Sequence, residues 1–99
     1  MARKVEWTKA SVQDRFEIYQ FWVKKNKTDS YSKKIEKLFI EAAKLISEFP
    51  EIGIETDFPG LRVKVVRSYK LFYSQQSDVI RIIRIWDTRQ NPQKLELPS

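Results

Sequence analysis

The spacing of apolar residues changes once along this 99-residue chain, near Gly60, and that change constrains the fold more than any other feature. Before Gly60, apolar side chains recur every three or four residues, as on one side of an α-helix. After Gly60 they alternate with polar residues, as in a half-buried β-strand. Because helical and strand segments are segregated along the chain, the pattern predicts a single α+β domain over residues 1–99, with helices packed on one face of a mainly antiparallel sheet.

Two helices are predicted in the first half of the chain. The first runs from Val12 to about Lys25, with Ser11 as its N-cap. Its apolar stripe recurs at spacings of four, three and four and is widened by two further residues: Val12, Phe16, Tyr19 and Val23, with Ile18 and Trp22. The second helix is capped by Thr28, Asp29 or Ser30 and ends at Pro50. The short connection between the helices predicts an antiparallel hairpin.

A short strand, Lys4–Thr8, precedes the helices, and a three-stranded antiparallel meander follows Gly60. Turns are predicted at Arg67-Ser68 and at Ser77-Asp78. One face of the sheet is expected to pack on the hairpin, in a core formed by Phe16, Tyr19, Leu38, Phe39, Ala42, Ile46, Val63, Leu71 and Ile83. The opposite face of the first two meander strands is expected to carry Arg62, Lys64 and Lys70. Arg81 and Arg84 can share a face of the last strand only if that strand bulges or ends early.

The net charge of +6 lies mostly in the C-terminal part of the chain. Residues 1–60 carry 11 Lys/Arg and 10 Asp/Glu, whereas residues 61–99 carry 8 Lys/Arg and 3 Asp/Glu. A basic surplus in this region indicates an anionic partner, either a nucleic acid or an acidic polypeptide. A solvated basic surface is the alternative interpretation.

The chain contains no histidine and no cysteine. This excludes the commonest general base, zinc and haem sites, and hydrolases that depend on Cys or on a Ser–His pair. No cofactor is predicted. The absence of cysteine fits a reducing cytoplasm, and no apolar run approaches the length of a membrane-spanning helix. We therefore expect a cytoplasmic protein with no membrane partner.

Four short motifs occur in a characteristic order. They are Val5-Glu6-Trp7-Thr8, the segment ISEFPEIG at residues 46–53, the segment RSYKLFY at residues 67–73 and the segment IWDTRQNP at residues 85–92. Together with the order of elements, they resemble the RelE/ParE toxin superfamily over about residues 4–97. The second motif resembles the family's "L..FPE.G" junction, the third its "YR(L/I)(V/F)Y" strand and the fourth its "H.R.(D/N)P" segment.

The resemblance implies the growth-inhibiting toxin of a two-gene toxin–antitoxin, or plasmid-stabilisation, module. Such a toxin is held inactive by an antitoxin that wraps around it and is freed when the antitoxin is degraded. RelE-type members enter the ribosome and cut mRNA, so their partners are the ribosome and mRNA. ParE-type members inhibit DNA gyrase without a nuclease activity. A degenerate toxin kept only as a binding partner is a third possibility.

The resemblance also implies candidate site residues. RelE-like enzymes without a His–Glu pair rely on clustered Lys and Arg, with a Tyr, to stabilise the transition state of RNA cleavage. Four cations fall at corresponding positions and are the predicted catalytic residues of a metal-independent endoribonuclease: Arg62, Lys64, Lys70 and Arg89. Four others are predicted to bind RNA phosphates: Arg67, Arg81, Arg84 and Lys94.

Two departures from the RelE pattern favour gyrase inhibition instead. Leu95 stands near the position of the nuclease's tail Tyr, and Asp87 replaces the histidine of "H.R". Tyr69 and Tyr73 share the parity of the core-facing residues and are interpreted as packed rather than catalytic. The basic strand residues favour the nuclease. An mRNA interferase is the resulting prediction, with a gyrase inhibitor as the alternative.

Overall fold

The computed structural model describes residues 2–89. Its elements are β1 (Lys4–Trp7), α1 (Lys9–Asn26), α2 (Ser30–Glu48), β2 (Ile54–Glu55), β3 (Leu61–Val66), β4 (Tyr69–Gln76) and β5 (Val79–Asp87). The predicted order of strand, two helices and three strands is confirmed. The two-residue strand β2 is an addition that the sequence pattern did not indicate.

All strands in the described part of the chain belong to one mixed sheet with the order β1-β5-β4-β3-β2. The strands β3, β4 and β5 form the predicted antiparallel meander, and β2 extends it at one edge. At the other edge β1 runs parallel to the first half of β5, with Lys4 opposite Val79 and Trp7 opposite Ile82. β1 stops at Trp7, so among residues 2–89 no strand pairs with the second half of β5 on that side.

The helices pack on one face of the sheet, as predicted. α2 contributes the predicted buried residues Phe39, Ala42 and Ile46, together with Ile35, each no more than 8% exposed. Leu38 is partly buried against the same core, which also contains Leu71. In this helix the apolar residues lie on one side and the charged residues on the other, so the amphipathic pattern located the buried side correctly.

In α1 the predicted buried side is only partly right, since Ile18 packs against the core and Trp22 bonds to the buried Tyr69, but the centre of the predicted stripe is exposed. Phe16 is 54% exposed and Val12 is 49% exposed, whereas the buried residues of the helix are Ser11 and Asp14. Tyr19 is only half-buried. α1 carries apolar residues on more than one side, so their spacing predicts a helix without deciding which side faces the sheet.

The beginning of α1 also differs from the prediction. Thr8 is the N-cap, since its hydroxyl accepts a hydrogen bond from the Ser11 amide at 3.1 Å. The Ser11 hydroxyl donates in return to the Thr8 carbonyl at 2.9 Å. Asp29, one of the three predicted caps, precedes α2.

A second apolar cluster lies on the sheet face away from the helices. It contains Leu61, Phe72 and Trp86, with Val63 and Ile83 packed against it. The prediction that Val63 and Ile83 belong to the helix-facing core is therefore wrong. The register between β4 and β5 shifts between Phe72 and Tyr73, and this irregularity places Arg81, opposite Ser74, in register with the same face as Arg84, opposite Phe72. A bulge was one of the two conditions under which the arginines could share a face.

No helix among residues 2–89 is long and apolar enough to cross a membrane.

Candidate functional site

The cations of β3 and β4 lie on opposite faces of the sheet. In the antiparallel ladder, Lys64 is opposite Leu71 and Val65 is opposite Lys70. Directly opposed residues share a face. Lys64 therefore lies on the face of Leu71, which is the helix side, and Lys70 lies on the other face. Arg62 is two residues before Lys64 on the same strand and therefore lies on the same face. The prediction that Arg62, Lys64 and Lys70 share the face away from the helices is wrong.

The two-residue turn at Arg67-Ser68 sets this arrangement. It places Val66 directly opposite Tyr69, and Tyr69 is 1% exposed in the helix-facing core. Val66 must therefore face the helices too. Lys64 and Arg62 face them as well, because every second residue of a strand lies on the same face. The alternation of residues correctly predicts that β3 is a strand, but the predicted assignment of its residues to the two faces of the sheet is wrong.

Arg62 is occupied in holding the segment that follows α2. Its guanidinium donates to the Gly53 carbonyl at 2.8 Å and pairs with the Glu55 carboxylate at 3.3 Å. A longer hydrogen bond reaches the Glu51 carbonyl at 3.4 Å. The Arg62 side chain is 27% exposed. Its hydrogen bonds stabilise the loop at residues 51–55, so the guanidinium is engaged within the protein rather than directed at a ligand.

Tyr73 holds the same segment from the core. Its hydroxyl donates to the Pro50 carbonyl at 2.7 Å and accepts a hydrogen bond from the Gly53 amide at 2.8 Å. Burial raises the pKa of Tyr73 above its ordinary value. The Tyr73 hydroxyl therefore fixes the loop, and a side chain at Gly53 would collide with the Tyr73 ring, which explains the glycine of the ISEFPEIG motif.

Tyr69 is likewise a structural residue. Its hydroxyl accepts a hydrogen bond from the Trp22 indole nitrogen at 2.7 Å, and burial raises its pKa. The interpretation of Tyr69 and Tyr73 as packed side chains is confirmed by exposures of 1% for each.

Arg89 is paired with Asp87, the residue at the position of the family's histidine. The closest contact joins Arg89 Nη2 to Asp87 Oδ2 at 2.7 Å. Hydrogen bonding from Arg89 lowers the pKa of Asp87. The same guanidinium lies 5.4 Å from the Trp22 ring centroid. Arg89 thus stands beside an aromatic side chain of α1 and is partly neutralised by its own neighbour.

The three predicted phosphate-binding residues that the structure describes lie in the β3–β4 turn and on β5. Arg67 is exposed in the β3–β4 turn, with a φ of 57°, and Arg81 is exposed on β5. Arg84 pairs with Asp14 of α1, with Nε 2.8 Å from Oδ2. Lys94 lies outside the described residues. The structure does not assemble the described candidates into one cationic groove, and their roles in RNA binding and catalysis stay predictions.

Comparison with known proteins identifies the family. The model of the ParE toxin of the type II toxin–antitoxin system parDE matches residues 5–92. The chain belongs to the ParE toxin family. It is accordingly the toxin component of a type II toxin–antitoxin system within the wider ParE/RelE group. Curated protein sequences gave no significant match.

Solved structures share the fold of this ParE-family toxin. A chain of the chromosomal ParDE toxin–antitoxin system from P. aeruginosa is 19% identical, with a TM-score of 0.75 over 87% of this chain and 96% of that chain. A chain of the RelBE2 toxin–antitoxin complex from Mycobacterium tuberculosis is 16% identical, with a TM-score of 0.66 over 88% of this chain and 99% of that chain.

In this ParE-family toxin, an ion pair that the sequence pattern did not indicate joins α1 to β5. Asp14 is 9% exposed and accepts two hydrogen bonds from Arg84, at 2.8 and 3.1 Å. It also accepts the Ile85 amide at 2.9 Å. The signal that the sequence offers is the position of Asp14 among the apolar residues of α1.

Proposed function

We propose that this ParE-family toxin acts in the cytoplasm by binding DNA gyrase and does not cleave RNA. The observation that carries the proposal is the strand register, in which Lys64 opposes Leu71 and Val65 opposes Lys70. RNA cleavage by a cation cluster needs several positive groups directed at one phosphate as its charge develops. Cations on opposite faces of a sheet cannot converge in this way.

The contacts of the arginines also support a toxin without nuclease activity. Arg62 is engaged by Gly53 and Glu55, and Arg89 is engaged by Asp87. Freeing either guanidinium for a phosphate would cost these existing hydrogen bonds. A toxin that acts by binding alone needs no such free cations.

A binding toxin does need an accessible contact surface, and the helix hairpin offers one. Val12 and Phe16 lie one helical turn apart on α1 and are 49% and 54% exposed, and Ile40 of α2 is 44% exposed. A contiguous patch of exposed apolar side chains often marks a binding site, and Val12 and Phe16 are neighbours on one side of α1. We propose that Val12 and Phe16 contact gyrase.

The mRNA interferase remains the second candidate. Lys70 opposes Val65 and lies on the face away from the helices. Arg81 opposes Ser74, whose position on β4 belongs to the same face as Lys70. Both are exposed. These two are exposed site candidates on one face of the sheet, and a nuclease in this chain would use them, because Arg62 and Lys64 belong to the other face.

The two mechanisms are separated by following gyrase and mRNA in the same intoxicated cells. We expect double-strand DNA breaks and an induced DNA-damage response. Primer extension on mRNA from the same cells should show no new 5′ ends. Purified toxin should inhibit DNA supercoiling by gyrase. Discrete new 5′ ends within codons, with gyrase unaffected, would contradict the proposal and support the interferase.

Two substitutions test which surface is used. Phe16→Glu should weaken gyrase inhibition at least about tenfold, because a charge enters an apolar contact, whereas the control Gln20→Glu adds a charge at an exposed polar position of the same helix. Lys70→Gln should leave inhibition unchanged. Loss of activity in Lys70→Gln with normal activity in Phe16→Glu would reverse the assignment. Antitoxin binding by each variant shows whether it is folded.

A further inference from the structure

A cavity of about 530 Å³ lies where α2 ends and the loop to β2 begins. Phe49 and Ile52 contribute its apolar wall and are 59% and 42% exposed. Arg3, just before β1, lines it from another side, and the carboxylates Glu48 and Glu51 complete it. The cavity therefore combines apolar surface with groups of both charges.

This cavity lies at one end of the sheet, and the described chain ends at the other. Gln75, near the end of β4, contributes to its lining. At the opposite end, the Thr88 amide donates to the carbonyl of Ser68, in the turn before β4. The strand separates Ser68 from Gln75 by roughly 23 Å. The lining of the cavity is thus remote from the end of β5.

The exposed apolar side chains belong to a backbone that is held in place. The Tyr73 hydroxyl bonds to the Pro50 carbonyl and to the Gly53 amide on either side of them. The Ile52 amide also donates to the Phe49 carbonyl at 3.0 Å. Because the loop is fixed by these contacts, Phe49 and Ile52 are presented in one arrangement, which lowers the entropic cost of binding.

Arg3 offers donors that the protein itself leaves almost unused. Its Nε atom is buried and, in the part of the chain that the structure describes, has no hydrogen-bond partner. Its Nη1 atom reaches the Ser47 carbonyl at a long 3.5 Å, and that oxygen already accepts the Arg3 amide at 3.0 Å. A buried donor without an acceptor is costly. An acceptor oxygen in the cavity could therefore bond to the guanidinium without displacing a short contact.

The charge around the cavity indicates what kind of ligand fits. Residues 48–60 contain no Lys or Arg, although the whole chain has a net charge of +6. Their four acidic residues are all exposed: Glu48, Glu51, Glu55 and Asp57. Complementary charge favours the correct partner and opposes wrong ones. Two carboxylates at the cavity disfavour a free anion and favour a neutral acceptor flanked by positive charge.

We propose that this cavity binds a peptide segment of a partner protein in which a large apolar residue stands between Lys or Arg residues. The apolar side chain packs against Phe49 and Ile52, and a backbone carbonyl of the segment accepts a hydrogen bond from Arg3. The flanking cations pair with Glu48 and Glu51. The site shares no residue with the gyrase contact proposed on α1, so this proposal is independent of the toxin's target.

Nuclear magnetic resonance titration of the purified toxin with three tripeptides tests the proposal. The probes, each acetylated and amidated, are Lys-Leu-Lys, Glu-Leu-Glu and Lys-Ser-Lys. Lys-Leu-Lys should shift the Arg3 Nε–H signal and bind at least about tenfold more tightly than the other two, because they lose the charge match or the apolar burial. Equal affinities, no binding of Lys-Leu-Lys, or binding that leaves the Arg3 signal unchanged would overturn the proposal.

A matched pair of variants locates the binding. Phe49→Ser removes the apolar wall and should weaken Lys-Leu-Lys at least about fivefold. Val65→Ser, at a position on β3 that is 50% exposed and outside the cavity lining, should leave it unchanged. Both side chains are exposed, so both variants should fold. Equal weakening by the two would show non-specific binding and contradict the proposal. Dimerisation of the free toxin that Phe49→Ser abolishes would assign the cavity to a second copy instead. Either result leaves the gyrase assignment untouched.

Discussion

Replacing Asp14 with alanine is expected to lower the free energy of unfolding by about 3–5 kcal/mol, the usual cost of removing one partner from a buried ion pair. The carboxylate accepts hydrogen bonds from Arg84 and from the Ile85 amide. Its loss leaves a part-buried guanidinium without this counter-charge and removes the acceptor of a buried amide. Small domains are stable by about 5–15 kcal/mol, so this one substitution removes a large share.

Urea denaturation followed by circular dichroism measures the effect. The control is Glu17→Ala, one turn further along α1 at an exposed position, which should change the stability by less than about 0.5 kcal/mol. Asp14→Asn keeps an acceptor for the Ile85 amide and should fall between the two. A midpoint for Asp14→Ala equal to that of the control would show that the carboxylate does not stabilise the junction of α1 with β5.

The side of α1 that faces the sheet illustrates what the sequence could not reveal. The spacing of Val12 and Phe16 predicts a helix, and the helix exists, but both residues point outward. Asp14 faces inward because it forms an ion pair with Arg84. That partner is 70 residues away in the chain, so the local pattern of α1 does not reveal it. Hydrophobic periodicity assumes that polar residues face solvent, and it has no means of recognising a carboxylate matched by a distant arginine.

The phase of β3 was missed for a related reason. Its alternating residues Arg62, Lys64 and Val66 look like the solvent side when the strand is taken alone. Their actual face is determined by pairing with β4 through a two-residue turn. A shift of one residue moves every side chain to the other face. Alternation predicts the strand, whereas only the turn and its register assign the faces.

By contrast, α2 and the order of elements were predictable. α2 has one apolar side and one charged side, and its end is marked by Pro50. The motif at residues 46–53 located the junction after α2 without explaining it. The explanation lies in the contacts of Gly53 with two side chains of the sheet, Tyr73 and Arg62, which are nonlocal and therefore invisible in the motif.

Replacing Gly53 with alanine is expected to lower the free energy of unfolding by about 3 kcal/mol, combining overpacking with lost hydrogen bonds. A methyl group at Gly53 would overlap the Tyr73 hydroxyl and lie 2.7 Å from its Cε1 atom. The ring cannot retreat easily, because its hydroxyl is held by the Pro50 carbonyl and the Gly53 amide. The overlap must therefore be relieved by displacing the loop or by breaking these hydrogen bonds.

A double-mutant cycle with Tyr73→Phe identifies the cause. Removing the hydroxyl eliminates both hydrogen bonds and the worst part of the overlap, so the two substitutions together should cost at least about 1 kcal/mol less than their sum. The control is Gly60→Ala, whose added methyl has no neighbour within 4 Å and meets only the strain of a φ of 79°. Its cost should add to that of Tyr73→Phe. Additive costs for Gly53→Ala and Tyr73→Phe would contradict a direct contact, whereas coupling confined to Gly53 would establish that the glycine of ISEFPEIG exists to admit the Tyr73 ring.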